Sequence, residues 1–530
     1  MESQLEVLFV VPMNVPDFKG GSGNVPDAIE PSKLSRIGLS YLDRREVPVG
    51  LLDANLKNNT PQEVADYVRE ADPRLVVMSV MGFNPSSSTQ TMVSAHEFAE
   101  AIKAASPGTP IMMMGINPAA VPETTLMTEP AVDFVCDGEG PITTHELIQA
   151  LAAGGDPSDI RKVRSLWYRE NGVVAHNAPA PLLDLNAELA IAGWKYMDPR
   201  KYVCHHWHAY YQGLDKRMPY ANPFAREGCP HKCDFCNIQA PYREGELAET
   251  LLGLRKPGVN SFRSLDPKLF VDEIQFLAET YGVRQFKIPD EMYGNGDSYP
   301  AKVATLMLER LGSLCDEFNI WCYFRIDSVR VRDLELLRRA GFRWLALGIE
   351  AANSTVRSGQ DKKFGDKYIP KIVNAVYDAG MEGALNYIFG LPGDTMETMQ
   401  QTFDLACELN GLYGNFYCAQ ALPGSELYRE AKASGYPLPE RPGGPGWIGH
   451  AQYSYESEPY YAGNALTPAQ ILAFRDEKHR AYYMRDEWRR MVLAKPHAGE
   501  EAVRSVDEWM RMIAPENLKR RLLEEAVTRK

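Results

Sequence analysis

The chain has 530 residues, 45% of them hydrophobic and 24% charged, with a formal net charge of −13. That length exceeds one ordinary domain, and the apolar content is that of a globular protein with sizeable cores. The acidic balance, without any Lys/Arg-rich run, argues against nucleic acid as the main partner.

The N-terminus is acidic and runs straight into Leu8-Phe9-Val10-Val11, without the basic region, long apolar core and cleavage site of a secretory leader. No apolar run approaches the roughly 18 residues that a membrane span requires. No membrane span is expected, and the cytoplasm is the expected location. Nine cysteines, three of them clustered, fit a reducing compartment and a metal centre better than a disulfide framework. Cys136, Cys204, Cys315, Cys322, Cys407 and Cys418 are scattered and read as small core residues.

Residues 1–155 alternate short apolar runs with helical stretches. Strands are expected over 5–11, 48–53, 75–81, 110–115 and 131–136, with helices over 35–45, 61–71, 88–105 and 142–152. Strands this apolar are covered by helices on both faces, which predicts a Rossmann-like, doubly wound α/β sheet binding its ligand beyond the strands' carboxyl ends.

Residues 156–220 are less regular and read as a linker. They hold a hairpin-like piece around Asn171-Gly172 and an aromatic run over 202–211. His205, His206 and His208 surround Trp207 in that run. Without a Cys or carboxylate at ligand spacing they read as packing residues rather than a metal site.

Residues 221–430 restart the β/α alternation. Strands are expected over 286–288, 321–325, 344–348, 385–389 and 415–418. Together with one before Cys229 they make six β/α units, a partial barrel whose chemistry sits at the carboxyl ends of its strands. Residues 431–530 change character: a Pro/Gly-rich stretch precedes helical segments over 468–490 and 500–529, read as a mostly helical C-terminal cap.

The chemistry-bearing motif is Arg226-Glu-Gly-Cys-Pro-His-Lys-Cys-Asp-Phe-Cys236, a C-x3-C-x2-C spacing with Phe235 before the third cysteine. Three thiolates within eight residues can grip three corners of a cubane iron–sulfur cluster, whereas an electron-transfer cluster is normally held by four cysteines. Such a three-cysteine loop would leave one iron open to a small molecule. A zinc site would need a fourth Cys or His, and His231 lies inside the loop with poor reach. Downstream, in order, come Phe286-Lys-Ile-Pro-Asp290-Glu291, Arg325 in Tyr-Phe-Arg-Ile-Asp, Gly348-Ile-Glu350, Gly390-Leu-Pro-Gly-Asp394 and Pro423-Gly-Ser-Glu-Leu427.

This series resembles the radical S-adenosylmethionine (SAM) superfamily. The resemblance implies a [4Fe–4S] cluster on Cys229, Cys233 and Cys236, with SAM chelating the open iron. It further implies Asp290 and Glu291 near the SAM amino group, a carboxylate-pairing Arg325, and Glu350 at the ribose or amino group. Gly390 would lie by the adenosyl group and Phe235 near the adenine.

The front unit resembles the cobalamin-binding domain found ahead of many such barrels. The residues that carry this are Asp53, Met114-Gly115-Ile-Asn117-Pro118 and Asp133-Phe-Val-Cys-Asp-Gly138-Glu139-Gly140. Asn117 stands where the family usually has histidine. The D-x-H-x-x-G motif is absent and no histidine precedes His96, so the resemblance implies base-off cobalamin without a histidine ligand. Gly82, Phe83 and Asn84, in the loop over 81–86, would cover its lower face. No G-x-G-x-x-G follows the first strand, which weakens a dinucleotide reading. A second three-cysteine site, as in tRNA methylthiotransferases, is missing from the front unit.

Cobalamin-dependent radical SAM enzymes are mostly methyltransferases acting on unactivated carbon or phosphinate phosphorus. The resemblance therefore implies a small-molecule biosynthetic substrate and an external reductant such as flavodoxin or ferredoxin. One SAM would leave as S-adenosylhomocysteine after methylating cobalamin, and a second would leave as 5′-deoxyadenosine. Two alternatives stand beside this: a non-methylating cyclisation, ring contraction or rearrangement on the same cofactors, and a cobalamin- or cluster-binding sensor without turnover. Trp447, Tyr453, Tyr455, Tyr460 and Tyr461 are read mainly as core aromatics.

Overall fold

The Val-, Leu- and Met-rich runs of the front unit have a physical reason to sit in the middle of a sheet, since every residue of such a run needs cover on both faces. In a computed structural model of the chain they do so. It describes residues 5–13, 28–82, 87–188, 191–210, 213–238, 240–242, 261–358, 362, 364–435, 438, 466–495, 500, 503, 504 and 507. Strands β1 (Val7–Val11), β2 (Val49–Asp53), β3 (Leu75–Ser79), β4 (Ile111–Met114) and β5 (Phe134–Cys136) run parallel in the order β2-β1-β3-β4-β5. The order reverses between β1 and β3, so the ligand crevice of such a sheet opens at their carboxyl ends.

The hairpin around Asn171-Gly172 forms. Both turn residues have positive φ, 52° and 80°, as a two-residue hairpin loop demands. Its strands β6 (Leu166–Glu170) and β7 (Val173–His176) join the front sheet antiparallel to β5. The front sheet therefore extends to His176 instead of ending near 155. The first helix runs Lys33–Asp43, two residues ahead of the expectation, because the Ser32 side chain accepts from the Ser35 N–H and caps it there.

The second unit is a parallel six-stranded half-barrel. Its strands are β8 (Tyr220–Ala221), β11 (Gln285–Ile288), β12 (Asn319–Arg325), β13 (Phe342–Glu350), β14 (Glu382–Phe389) and β15 (Tyr413–Cys418). Between β8 and β11, β9 (Arg226–Gly228) pairs antiparallel with β10 (Phe262–Ser264). The cysteine loop thus leaves this two-stranded ribbon and not the end of the first barrel strand. Gly228 makes the exit possible: at φ +82° a Cβ there would sit 2.2 Å from the Ser261 carbonyl oxygen.

The amino end of the half-barrel is filled from the linker. Trp207, on the short helix His206–Ala209, stacks on Tyr413 at 4.4 Å and meets Trp321 and Trp344 edge-on at 5.2 and 5.3 Å. His208 and Asn319 lock it with reciprocal side-chain-to-carbonyl bonds of 3.0 and 2.9 Å. His208 is thus a packing residue, whereas His205 stands 3.3 Å from the Glu30 carboxylate. At the carboxyl side, helix Pro468–Tyr483 covers the edge strand β15, whose Gly414 N–H and C=O both bond the Tyr483 hydroxyl. The segment expected as one helix over 468–490 breaks into two at Met484 and Arg485, and the second runs Asp486–Leu493. Trp447, the four tyrosines named above and most of 500–529 lie outside the described residues. Among the described residues no helix is long and apolar enough to cross a membrane.

Candidate active site

Cys229, Cys233 and Cys236 line a shared cavity of about 310 Å³ at the carboxyl ends of the barrel strands. Burial pushes the Cys229 thiol up to about 12, and the Cys236 thiol is also raised. Three thiols on one cavity wall are the donor set that a three-cysteine cluster needs, and iron binding would displace their protons. Among the described residues no three His, Cys, Asp or Glu side chains close on one ion. A cubane, whose corners stand apart, asks for no such convergence. His231 is engaged elsewhere, with Nε2 3.2 Å from the Asn295 amide oxygen.

The wall beside the cysteines is acidic. Asp290, fully buried, accepts the Ala225 N–H at 2.9 Å, and burial raises its carboxyl to about 8 against the pull of Lys33. Glu291 is raised by burial too. Lys33, from the front unit, stands 3.1 Å from Glu227 and 3.3 Å from Glu291, all three side chains buried. Asp290 Oδ2, Glu291 Oε2 and Asn222 Oδ1 are buried without a hydrogen-bond donor among the described residues. So many acceptors around one lysine fit a further cationic donor, such as the SAM ammonium.

Arg325 and Glu350 face the same cavity. The Arg325 fork is closed on Asp327, Nε to Oδ1 and Nη2 to Oδ2 both 2.9 Å, while Nη1 donates to Cys233 Sγ at 3.5 Å. Glu350 sits at φ +64°, where the β13–β14 register slips between Gly348 and Glu350. A bulge of this kind re-aims a side chain, and a left-handed non-glycine residue costs about 1–3 kcal/mol. The buried Lys362 holds Glu350 at 2.6 Å and the Gly348 carbonyl at 2.6 Å. A Cβ on Gly348 would fall 2.5 Å from Glu350 Oε1, so glycine there makes room for the pair. Phe235 lines the cavity and packs against two small apolar clusters, one holding Ile388 and Leu391 and the other Ala421 and Leu427. Gly390, in contrast, turns to the C-terminal helix. Its N–H bonds Asp394 at 2.9 Å, and a Cβ there would meet Ile471 at 2.5 Å.

From the front unit, Met81, Gly82 and Gln90 reach this cavity, whereas Phe83 and Asn84 lie outside the described residues. The other front-unit candidates have structural partners away from it. Asp53 caps the turn at Asn55 and accepts from Tyr202 at 3.2 Å, and burial lifts its carboxyl to about 6. Gly115, at φ +140°, lets β4 approach β3 so closely that a Cβ would stand 2.0 Å from the Val80 carbonyl. Asn117 donates its backbone N–H to the Ser88 hydroxyl at 2.9 Å and its side-chain amide to the Thr89 hydroxyl at 2.8 Å, and among the described residues its Oδ1 has no donor. A Cβ on Gly138 would press on Ser165, and Gly140, at φ +101°, packs against Met114. Glu139 pairs with Arg263 of β10 and accepts the Leu183 N–H at 2.7 Å, tying the two units together. His96 is engaged with Glu129 at 2.5 Å.

Several cavity residues gave no signal in the sequence: Lys33, Lys362, Asn222 and Glu30, the last paired at 2.7 Å with Lys287 of the second-strand motif. Burial pushes Glu30 up, but Lys287 and His205 outweigh it and hold the carboxyl at about 2. Only the three-dimensional fold brings these residues to the cysteine loop.

The B12 binding domain model matches residues 37–148 and the Radical SAM superfamily model matches residues 226–406. An uncharacterized methyltransferase of Pyrococcus horikoshii is 22% identical over 401 residues, 75% of this chain and 78% of the relative. The anaerobic magnesium-protoporphyrin IX monomethyl ester cyclase of Synechocystis sp. is 28% identical over 64% of this chain and 60% of its own length. In fold, the chain is similar to the radical SAM methyltransferase TsrM from Kitasatospora setae, solved with cobalamin and a [4Fe-4S] cluster. The TM-score is 0.62 at 17% identity, covering 82% of this chain and 75% of that one. The chain thus carries a B12 binding domain followed by a Radical SAM superfamily domain, the domain order that the sequence motifs implied.

Proposed function

We propose that the enzyme moves a methyl group from SAM, by way of cobalamin, to an unactivated carbon or a phosphinate phosphorus of a small biosynthetic intermediate. The observation that carries this is a cavity lined both by the cysteine loop and by Met81 and Gly82 of the front unit. When bound, the cluster with SAM supplies hydrogen abstraction and cobalamin supplies the methyl group.

The chain's own contribution is position and polarity. Cys229, Cys233 and Cys236 would hold three irons, and Asp290, Glu291 and Asn222 offer acceptors to the SAM ammonium. Phe235 would give the adenine an apolar wall, and Glu350, steadied by Lys362, would accept from the SAM ribose or amino group. Gly82, which lines the cavity, would be among the residues that hold cobalamin. Gly115, Asn117 and the 138–140 turn, with Asp53, would shape the sheet edge that receives its tail. An external low-potential protein such as flavodoxin or ferredoxin would supply the electron. Similarity to a relative named as a methyltransferase supports the reading. Similarity to a cyclase favours a second one, cyclisation on the same cofactors.

The test is product analysis after anaerobic reconstitution with cobalamin, SAM, a low-potential reductant and candidate substrates, alongside the Cys229→Ala, Cys233→Ala, Cys236→Ala triple variant. S-adenosylhomocysteine and 5′-deoxyadenosine from the wild type, with the latter lost in the variant, is the expected result. Substrate conversion with 5′-deoxyadenosine but no S-adenosylhomocysteine would replace methyl transfer by the cyclisation reading.

A further inference from the structure

We infer that Arg325 is a positioning residue for the cluster itself: it donates a charge-assisted N–H···S bond to Cys233 and thereby raises the reduction potential of the cluster. The inference rests on the cluster assignment above. An arginine that clamps a substrate carboxylate presents its fork to the ligand. Here the fork is closed on Asp327 by two parallel bonds of 2.9 Å. The backbone is pinned as well, since the Arg325 N–H bonds the Ser328 hydroxyl at 3.1 Å and that hydroxyl returns to the Arg325 carbonyl at 2.9 Å. A guanidinium fixed on one edge and buried to 7% exposure has its third nitrogen set in direction, toward Cys233 Sγ at 3.5 Å.

Cys233 is the middle ligand of the loop. A cationic donor on a ligating sulfur draws electron density from it and favours the reduced cluster, which carries one more negative charge. Hydrogen bonds to the sulfurs and net charge are among the protein's main controls on such potentials. Lys362 provides an internal comparison. It is a second cation lining the cavity, but its ammonium is spent on Glu350 and the Gly348 carbonyl.

The experiment is a redox titration of the reconstituted full-length protein, followed by electron paramagnetic resonance, without SAM. Wild type, Arg325→Met and Lys362→Met are compared, and iron and sulfide are quantified in each. Full iron loading in every protein, a midpoint moved to more negative potential in Arg325→Met, and a smaller movement in Lys362→Met is the expected result. An Arg325→Met midpoint equal to wild type, or one moved no further than that of Lys362→Met, would overturn the inference. A wild type that binds no iron would instead sink the cluster assignment. Should Arg325→Met alone fail to hold iron, Arg325→Lys is titrated in its place. Lysine keeps the charge but cannot form the fork, so a negative movement is again expected and an unchanged midpoint refutes the inference.

Discussion

Replacing Lys33 by methionine should destabilise the protein by about 3–5 kcal/mol, and the deficit should grow with pH. Methionine keeps most of the aliphatic stem, so what is lost is charge. Lys33 stands 3.1 Å from Glu227 and 3.3 Å from Glu291, with every partner almost fully buried. At an effective dielectric of about 20, each contact carries roughly 5 kcal/mol of Coulomb energy. Much of that is offset by desolvating the lysine, and removing one partner of a buried pair typically costs about 3–5 kcal/mol net. The sign of the pH effect comes from the raised carboxyls. Asp290, at about 8, and Glu291 lie above their unfolded values, so their contribution favours the fold at low pH and fades as pH rises through the folded values. Lys33 pulls both down. Without it they rise further, and the added penalty appears only as pH climbs through the folded values that Lys33 sets, about 8 for Asp290, because below them both proteins hold the proton. Urea unfolding of the two proteins at about pH 6 and about pH 8.5 measures this. A deficit that is the same at both values would mean that packing, not charge, explains the loss.

Gly115→Ala should cost about 3 kcal/mol or more and release cobalamin on gel filtration, because its methyl would lie 2.0 Å from a main-chain carbonyl at φ +140°. Trp207→Ala, which empties the aromatic floor of the barrel, should lower stability by about 3–5 kcal/mol in urea titration while leaving iron content unchanged. His208, held neutral at about 3 by burial, contributes stability that is complete above its unfolded value near 6.5 and lost as pH falls toward 3. His208→Gln, whose amide still donates to the Asn319 carbonyl, should flatten that acid limb of the stability curve.

The parts of this fold that were legible in the sequence are those written locally. The cysteine loop occupies eight consecutive residues, and the barrel strands announce themselves as apolar runs at regular spacing. The Asn171-Gly172 turn is equally local, but its docking on β5 is not, since nothing within the hairpin names its partner strand. Lys33 lies 258 positions from Glu291, and no periodicity links them. Glu350 was legible as a motif residue, but its direction depends on a register slip between two strands, which composition does not encode. Lys362 sits in a loop, where burial by distant elements decides its role. Ser32 could have been read as the helix cap, since Pro31-Ser32 precedes the amphipathic run.

The aromatic floor under the barrel has a kinetic meaning. With Trp207, Trp321, Trp344 and Tyr413 packed across the amino ends of the strands, the described residues stop that end of the lumen with rings, while the cavity on the opposite side faces the cysteine loop and the front unit. A molecule seated between them would have to exchange away from the floor, so the depth at which each ligand sits would bear on the order in which it can leave.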